Sequence, residues 1–255
     1  MPTSTPNFEA LIAEAEKAGF SGWDFSYLEG RYNESAPSWN YRQMVLERMA
    51  DSSSLLDMGT GGGEFLASLV ALPPHTCATE GFPPNLSIAR ACLAPLGVRV
   101  EPACGYENLP FPDGSFDLVI NRHESYSPAE LKRILKPGGC FLTQQVGGRD
   151  NFLLNERLQD EPCLEYAGWN LQTARKQLED AGFTVRLAKE EMLPTRFSDI
   201  GAVVYYLKAI PWQIPDFSPE KERLRLLQLH REIIQNGALI THSHRFILEA
   251  SRAME

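Results

Sequence analysis

Apolar residues along this chain follow two spacings that take turns. Phe8, Leu11, Ile12 and Ala15 recur at helical spacing with Glu and Lys between them, which predicts a helix over residues 8–18. A second helix is expected from Tyr41 to Ala50. Short apolar runs of strand length then begin. They are Leu55–Met58, His75–Glu80, Val98–Glu101, a run closing at Ile120, Cys140–Val146, Phe183–Glu191 and Thr241–Ser251. Helical segments separate them: one following the glycine turn and running to Val70, then Pro84 to Leu96, Pro128 to about Leu135, and Asn170 to Ala181. Gly97 and Gly182 stop two of these. Ser127-Pro128-Ala129-Glu130 supplies N-cap, first-turn proline and third-position acid for another. Strands alternating with helices predict an α/β fold.

Two stretches break the alternation. Gly19 to Asn40 is crowded with Phe20, Trp23, Phe25, Tyr27, Tyr32 and Trp39, too irregular for a strand and too aromatic for a free linker. It is either a loop packed on the domain or a flap over the active-site edge. Pro194 to Pro219 carries an apolar helix, Ile200 to Ala209, and a proline-rich turn around Trp212, with a charged helix following to Ile234. Tyr205 and Trp212 read equally well as a substrate-side cap or as ordinary packing. The expected organisation is an N-terminal helix and flap (1–40), a core (41–192), a helical insertion (193–235) and a C-terminal core strand (236–255).

The chemistry concentrates where the first of these strands ends. Asp57-Met58-Gly59-Thr60-Gly61-Gly62-Gly63 follows a buried strand and opens a helix. Glycines there let the backbone turn sharply and approach a ligand, at the carboxyl edge where open α/β sheets bind nucleotides. A dinucleotide fingerprint would need glycine at 64, and Glu64, read as a capping residue, stands there. Glu80 ends the second strand, placed to accept the hydroxyls of a ribose.

The run D-x-G-x-G-x-G resembles motif I of the class I S-adenosylmethionine-dependent methyltransferases. Glu107-Asn108-Leu109-Pro110-Phe111-Pro112-Asp113-Gly114-Ser115-Phe116-Asp117-Leu118-Val119 and the LKRILKPGG turn before Cys140 resemble later segments of that superfamily, so the likeness spans Leu55 to Val146. It implies a Rossmann-like seven-stranded sheet, mostly parallel, in the order 3-2-1-4-5-7-6. It also implies S-adenosylmethionine as cofactor, held by Asp57, Gly59, Thr60, Gly61, Gly63 and Glu80. Gly81, Tyr106, Glu107 and Asn121 complete the implied set. Many relatives have Asp-Ala where this chain has Gly105-Tyr106, so the polar contact to adenine falls to the backbone, Tyr106 or Glu107.

Methyl transfer from a sulfonium needs alignment above all, with a general base worth about 10²–10⁴-fold where a proton must leave. His123, just past the fourth strand, is the candidate base, and Glu124 is placed to orient it, to act itself or to cap the next helix. Of Gln144 and Gln145, one should face the pocket, because strand side chains alternate; Gln144 and Trp39 are the candidate substrate contacts. His242 and His244 lack a third ligand, so no metal site is expected.

Composition narrows the acceptor. A formal charge of −9, with scattered basic residues, argues against a nucleic-acid surface and for a small-molecule acceptor. Cys77, Cys92, Cys104, Cys140 and Cys163 form no C-x-x-C pair, which suits reduced thiols in a cytoplasmic protein. No apolar run reaches membrane-spanning length, and Met1–Pro6 lacks the features of a signal peptide. An RNA or protein methyltransferase, or a non-catalytic cofactor-binding module, is the alternative.

Overall fold

The computed structural model describes residues 7–20, 25–103, 105–162 and 165–254. The expectations resting on Met1–Pro6, Trp23, Cys104 and Cys163 lie outside these. In chain order the elements are α1 (Phe8–Lys17), β1 (Tyr32–Glu34), α2 (Tyr41–Met49), β2 (Ser54–Met58), α3 (Glu64–Ser68) and β3 (His75–Glu80). Next come α4 (Pro83–Leu93), β4 (Arg99–Pro102), β5 (Phe116–Arg122), α5 (Pro128–Ile134), β6 (Leu135–Val146) and α6 (Leu153–Leu158). The chain closes with α7 (Leu171–Asp180), β7 (Phe183–Phe197), α8 (Ile200–Ala209), α9 (Arg223–Asn236) and β8 (Leu239–Arg252). The strands hydrogen-bond in the order β1-β7-β8-β6-β5-β2-β3-β4. Numbered as expected, strands 3-2-1-4-5-7-6 stand in that order, with β1 added beyond the sixth as an eighth strand.

Two compact units divide the chain, and their limits differ from the four expected segments: one holds residues up to Ala36, Gly148–Ala167 and Met192–His244, the other Pro37–Gly147, Gly168–Glu191 and Arg245–Glu255. In the second unit β2 is buried at all five positions, and its alternation feeds two cores. Leu56 and Met58 join Val119, Phe141, Leu131 and Leu178; Leu55 joins Ile120, Leu142, Val45, Leu66 and Leu93 on the opposite face. Each fully buried leucine contributes about 1.5–3 kcal/mol. β2 therefore sits between β3 and β5, parallel to both, with Asp57 opposite Ala78 and Ile120. That register sets the ends of three strands side by side. The LKPGG segment, expected as a turn, is looped out within β6: Phe116 pairs Leu135 but Leu118 pairs Cys140, and Gly138 takes φ +76°.

Asp117 fastens the other end of β5 to β2. Its Oδ2 accepts from the backbone and hydroxyl groups of both Ser53 and Ser54, and Lys136 Nζ reaches Oδ1 at 2.9 Å. Burial alone would raise its pKa, but the Ser53, Lys136 and Ser54 bonds outweigh it and hold the carboxyl well below its ordinary range.

In the first unit Phe25, Tyr27 and Tyr32 pack, half-buried, against the unit's own core. Tyr27 stacks on Tyr205 at 4.4 Å, Tyr32 meets Phe197 at 5.0 Å, and Phe8 and Ile12 of α1 join the same core as α8. Arg31 grips Asp199, the N-cap of α8, through both Nε and Nη2. Residues 32–34, expected as loop, pair antiparallel with Thr195–Phe197 because β7 continues through Pro194. Leu193, Thr195 and Phe197 point inward while Pro194 and Arg196 are exposed, so the proline costs no inner contact; its carbonyl accepts from Ser35 N at 3.0 Å. No described helix is long and apolar enough to cross a membrane.

Asp117→Ala should lower stability by about 2 kcal/mol, measured by denaturant titration at neutral pH. Because the native carboxyl is depressed, its contribution is full above the ordinary carboxylate range and is lost as pH falls from that range towards the lower native value, so the variants should converge only in strong acid. A variant equal to the wild type at neutral pH would show that the fastening is not stabilising.

Candidate functional site

The glycine turn is organised by two acids of the second unit. Asp57 is buried and accepts from Thr60 Oγ1 at 2.8 Å, closing the turn on itself. Glu80, only 7% exposed, accepts from Gly61 N through Oε2 and from Phe82 N through Oε1, both at 2.7 Å. One carboxylate therefore ties the turn after β2 to the turn after β3. Thr60 N and Gly59 N add bonds to Thr79 O and Oγ1.

Glycines serve the protein's own packing as much as any ligand. Gly59, Gly61 and Gly63 have φ of +68°, +65° and +89°, a region costly for other residues. A Cβ on Gly59 would lie 2.6 Å from Glu124 Cγ, and one on Gly63 2.8 Å from Leu93 Cγ. At Gly81 it would meet Ala103 O at 2.7 Å. Gly63, and not Glu64, holds the N-cap position of α3, and the Glu64 carboxylate lies over Gly62.

At the end of β5, Asn121 is fully buried. Its Oδ1 accepts from Thr143 Oγ1 and Gln145 Nε2, its backbone carbonyl accepts from Tyr41, and its Nδ2 has no hydrogen-bond partner. Gln145 is thus spent inside, also donating to the Glu124 carbonyl. Gln144 takes the other side: its Oε1 accepts from Trp39 Nε1 at 2.8 Å, and its Nε2 lies 3.2 Å from His123 Nε2. Trp39, Gln144 and His123 therefore form one chain of contacts, although Trp39 was expected in the flap and belongs to the second unit. Glu124 does not orient the imidazole; its carboxylate lies against Gly59 and accepts from Ser125 N.

The loop before Leu109 is the open side. Gly105, Tyr106 and Glu107 are exposed. Its far end is held by Glu130, whose Oε1 accepts from Leu109 N at 2.6 Å, while Arg133 donates to Leu109 O, Phe111 O, Asp113 and Glu130. Glu130 was legible only as a helix-start acid; its hold on Leu109 required the fold.

Charge is unevenly tolerated here. Burial pushes Asp57 up to about 6; the Thr60 hydroxyl and Arg122 oppose the shift and Glu80 adds to it. His123 reaches solvent, yet the protein crowding its ring, and after it the positive charges of Arg245 and Arg122, hold the imidazole well below its ordinary pKa. Arg122 lies over the Phe65 ring at 4.6 Å. Among the described residues no group of His, Cys, Asp and Glu could hold a metal; His242 is exposed and His244 buried. Cys77, Cys92 and Cys140 are free thiols. A cleft of about 560 Å³ opens elsewhere in this unit, lined by Arg48, Cys140, Arg186, Glu249 and Arg252 among others, and shares no residue with the glycine turn.

Parallel strands, the glycine turn and the acid ending the second strand define a Rossmann-like methyltransferase fold. Residues 56–143, roughly a third of the chain, match the model of the methyltransferase domain family. No curated protein matches the chain. Among solved structures, the YcgJ protein of Bacillus subtilis is similar at 17% identity and a TM-score of 0.61, over 84% of this chain and 99% of that one. The [4+2]-cyclase SpnF is similar at 18% and 0.55, over 97% and 93%. The protein in complex with the Haloferax volcanii Trm112 methyltransferase activator is similar at 18% and 0.52, over 97% and 96%. Identities this low speak for the fold alone.

Because Asp57 is raised in the folded state, ionising it costs stability as pH climbs from about 4 through about 6. Asp57→Asn, which keeps an acceptor for Thr60, should stabilise the free protein near pH 8 by up to ~3 kcal/mol and leave it unchanged near pH 4. Denaturant midpoints at the two pH values read the difference. A less stable variant near pH 8 would show that the buried charge is fully compensated.

Proposed function

We propose that the protein transfers a methyl group from S-adenosylmethionine to a small-molecule acceptor, with the glycine turn and Glu80 as the cofactor seat. The observation that carries this reading is Glu80, a buried carboxylate whose two oxygens each accept one backbone N–H and each keep a lone pair. A ribose offers two hydroxyl donors, so the acceptor set matches the group. S-adenosylmethionine, when bound, supplies a methyl group already activated on a sulfonium.

Asp57 completes the seat electrostatically. It is buried next to Glu80 with its pKa raised, and a cationic ligand would favour its ionised form. The carboxylate of Glu124 over Gly59 adds negative charge on the same side. Exposed Tyr106 and Glu107 are free to meet an adenine edge and face. Asn121 contributes chiefly by holding Thr143 and Gln145 in place. The net charge of −9 supports a small acceptor over RNA. A second reading, a macromolecular acceptor reached with a protein activator, draws on the likeness to the Trm112-bound protein.

Calorimetry should find S-adenosylmethionine binding to the wild type, weakening as pH is lowered through about 6, where Asp57 takes up a proton. Asp57→Asn should flatten that dependence, and Glu80→Gln should weaken binding by about tenfold or more. Wild-type affinity independent of pH, together with full affinity in Glu80→Gln, would remove the proposed seat.

A further inference from the structure

His123 stands in a left-handed backbone conformation, φ +65°, a region that disfavours residues other than glycine. Its backbone N–H donates to Gln144 O at 2.8 Å, and its ring is brought to the Gln144 side chain. The polarity of that contact can be read from its far end. An indole N–H only donates, so Trp39 Nε1 fixes the Gln144 carbonyl oxygen on its own side, at 2.8 Å. The Gln144 NH₂, which also only donates, must then face His123. His123 Nε2 is left as acceptor, and the single ring proton sits on Nδ1.

We propose that Trp39 and Gln144 hold His123 as the neutral, Nδ1-protonated tautomer, so that it meets the methyl acceptor as a hydrogen-bond donor and not as a general base. Gln144 is a positioning residue in this scheme. No described residue hydrogen-bonds Nδ1, and the lone pair a base would use is occupied by Gln144. The charges around the ring agree: Arg122 from β5 and Arg245 from β8 both oppose an imidazolium, while Glu124 turns away to Gly59 and Ser125. The inference rests on the methyltransferase reading for its functional meaning and deepens it by naming an acceptor class. An acceptor suited to this ring carries an anionic oxygen with no proton to lose, a carboxylate or phenolate. Its lone pair forms the bond to the methyl carbon as the carbon–sulfur bond breaks, sulfur keeps the bonding pair, and no proton moves. Turnover would follow the acceptor's own ionisation and not that of the imidazole.

Nitrogen-15 correlation spectra of the full chain assign the protonated ring nitrogen directly and need neither cofactor nor acceptor, which separates this test from that of the function. The expected wild-type result is an unprotonated Nε2 with an imidazole pKa below the ordinary value near ~6.5. Gln144→Glu puts a carboxylate in the same place, able to accept from both Trp39 and the ring; it should move the proton to Nε2 and raise the pKa by about one unit or more. Trp39→Phe, a milder change, frees the amide to turn over and should produce a mixture of tautomers. A wild-type ring protonated on Nε2, or an unchanged ring in both variants, overturns the proposal.

Discussion

The site depends on one buried carboxylate. A carboxylate at 7% exposure needs hydrogen-bond partners, and those of Glu80 are backbone amides of two different turns. Gly61 N belongs to the loop leaving β2 and Phe82 N to the loop leaving β3. Those loops stand close enough to share a carboxylate because β2 and β3 are parallel and in register, Asp57 opposite Ala78. The register in turn follows from Leu55 and Leu56 filling cores on opposite faces of the sheet. A one-residue slip would exchange those faces. The chain from buried leucine to the proposed cofactor seat is therefore short: packing sets register, register aligns the turns, and one acid locks them.

Electrostatically the seat is poised for positive charge. Asp57 is buried beside another carboxylate, and only the Thr60 hydroxyl and Arg122 offset the cost. Proteins tolerate such strain where a ligand relieves it. On the neighbouring side the sign reverses: Arg122 and Arg245 keep the His123 ring neutral. Acidic around the turn and basic around the imidazole, the second unit sets opposite electrostatic surroundings side by side at the ends of adjacent strands.

Much of this was legible in the chain itself. The strand order came with the resemblance to the methyltransferase superfamily, whereas the glycine turn and the acids closing the first two strands of the core were readable because buried strands, positive-φ glycines and strand-end acids leave strong local signatures. Other features depend on partners distant in sequence. β1 exists only because Thr195–Phe197 offers it an edge, and Pro194 masked the inward alternation of Leu193, Thr195 and Phe197 that extends β7. Tyr27 and Tyr32 read equally as part of a packed loop or of a flap, and the rings they pack on, Tyr205 and Phe197, lie far away in sequence. Gly59 and Gly63 read as room for a ligand, yet Glu124 and Leu93 use that room. The link from Trp39 through Gln144 to His123 joins residues 105 and 21 positions apart, and no local pattern encodes such a contact.

A crystal structure with S-adenosylhomocysteine, the demethylated form of the cofactor, examines the seat most directly. The ribose hydroxyls should lie within hydrogen-bond distance of the Glu80 oxygens, with Gly61 N and Phe82 N still bonded to the same carboxylate and the adenine beside Tyr106. The nucleoside bound elsewhere, or bound at the turn with its ribose away from Glu80, would contradict the assignment of this carboxylate as the centre of the site.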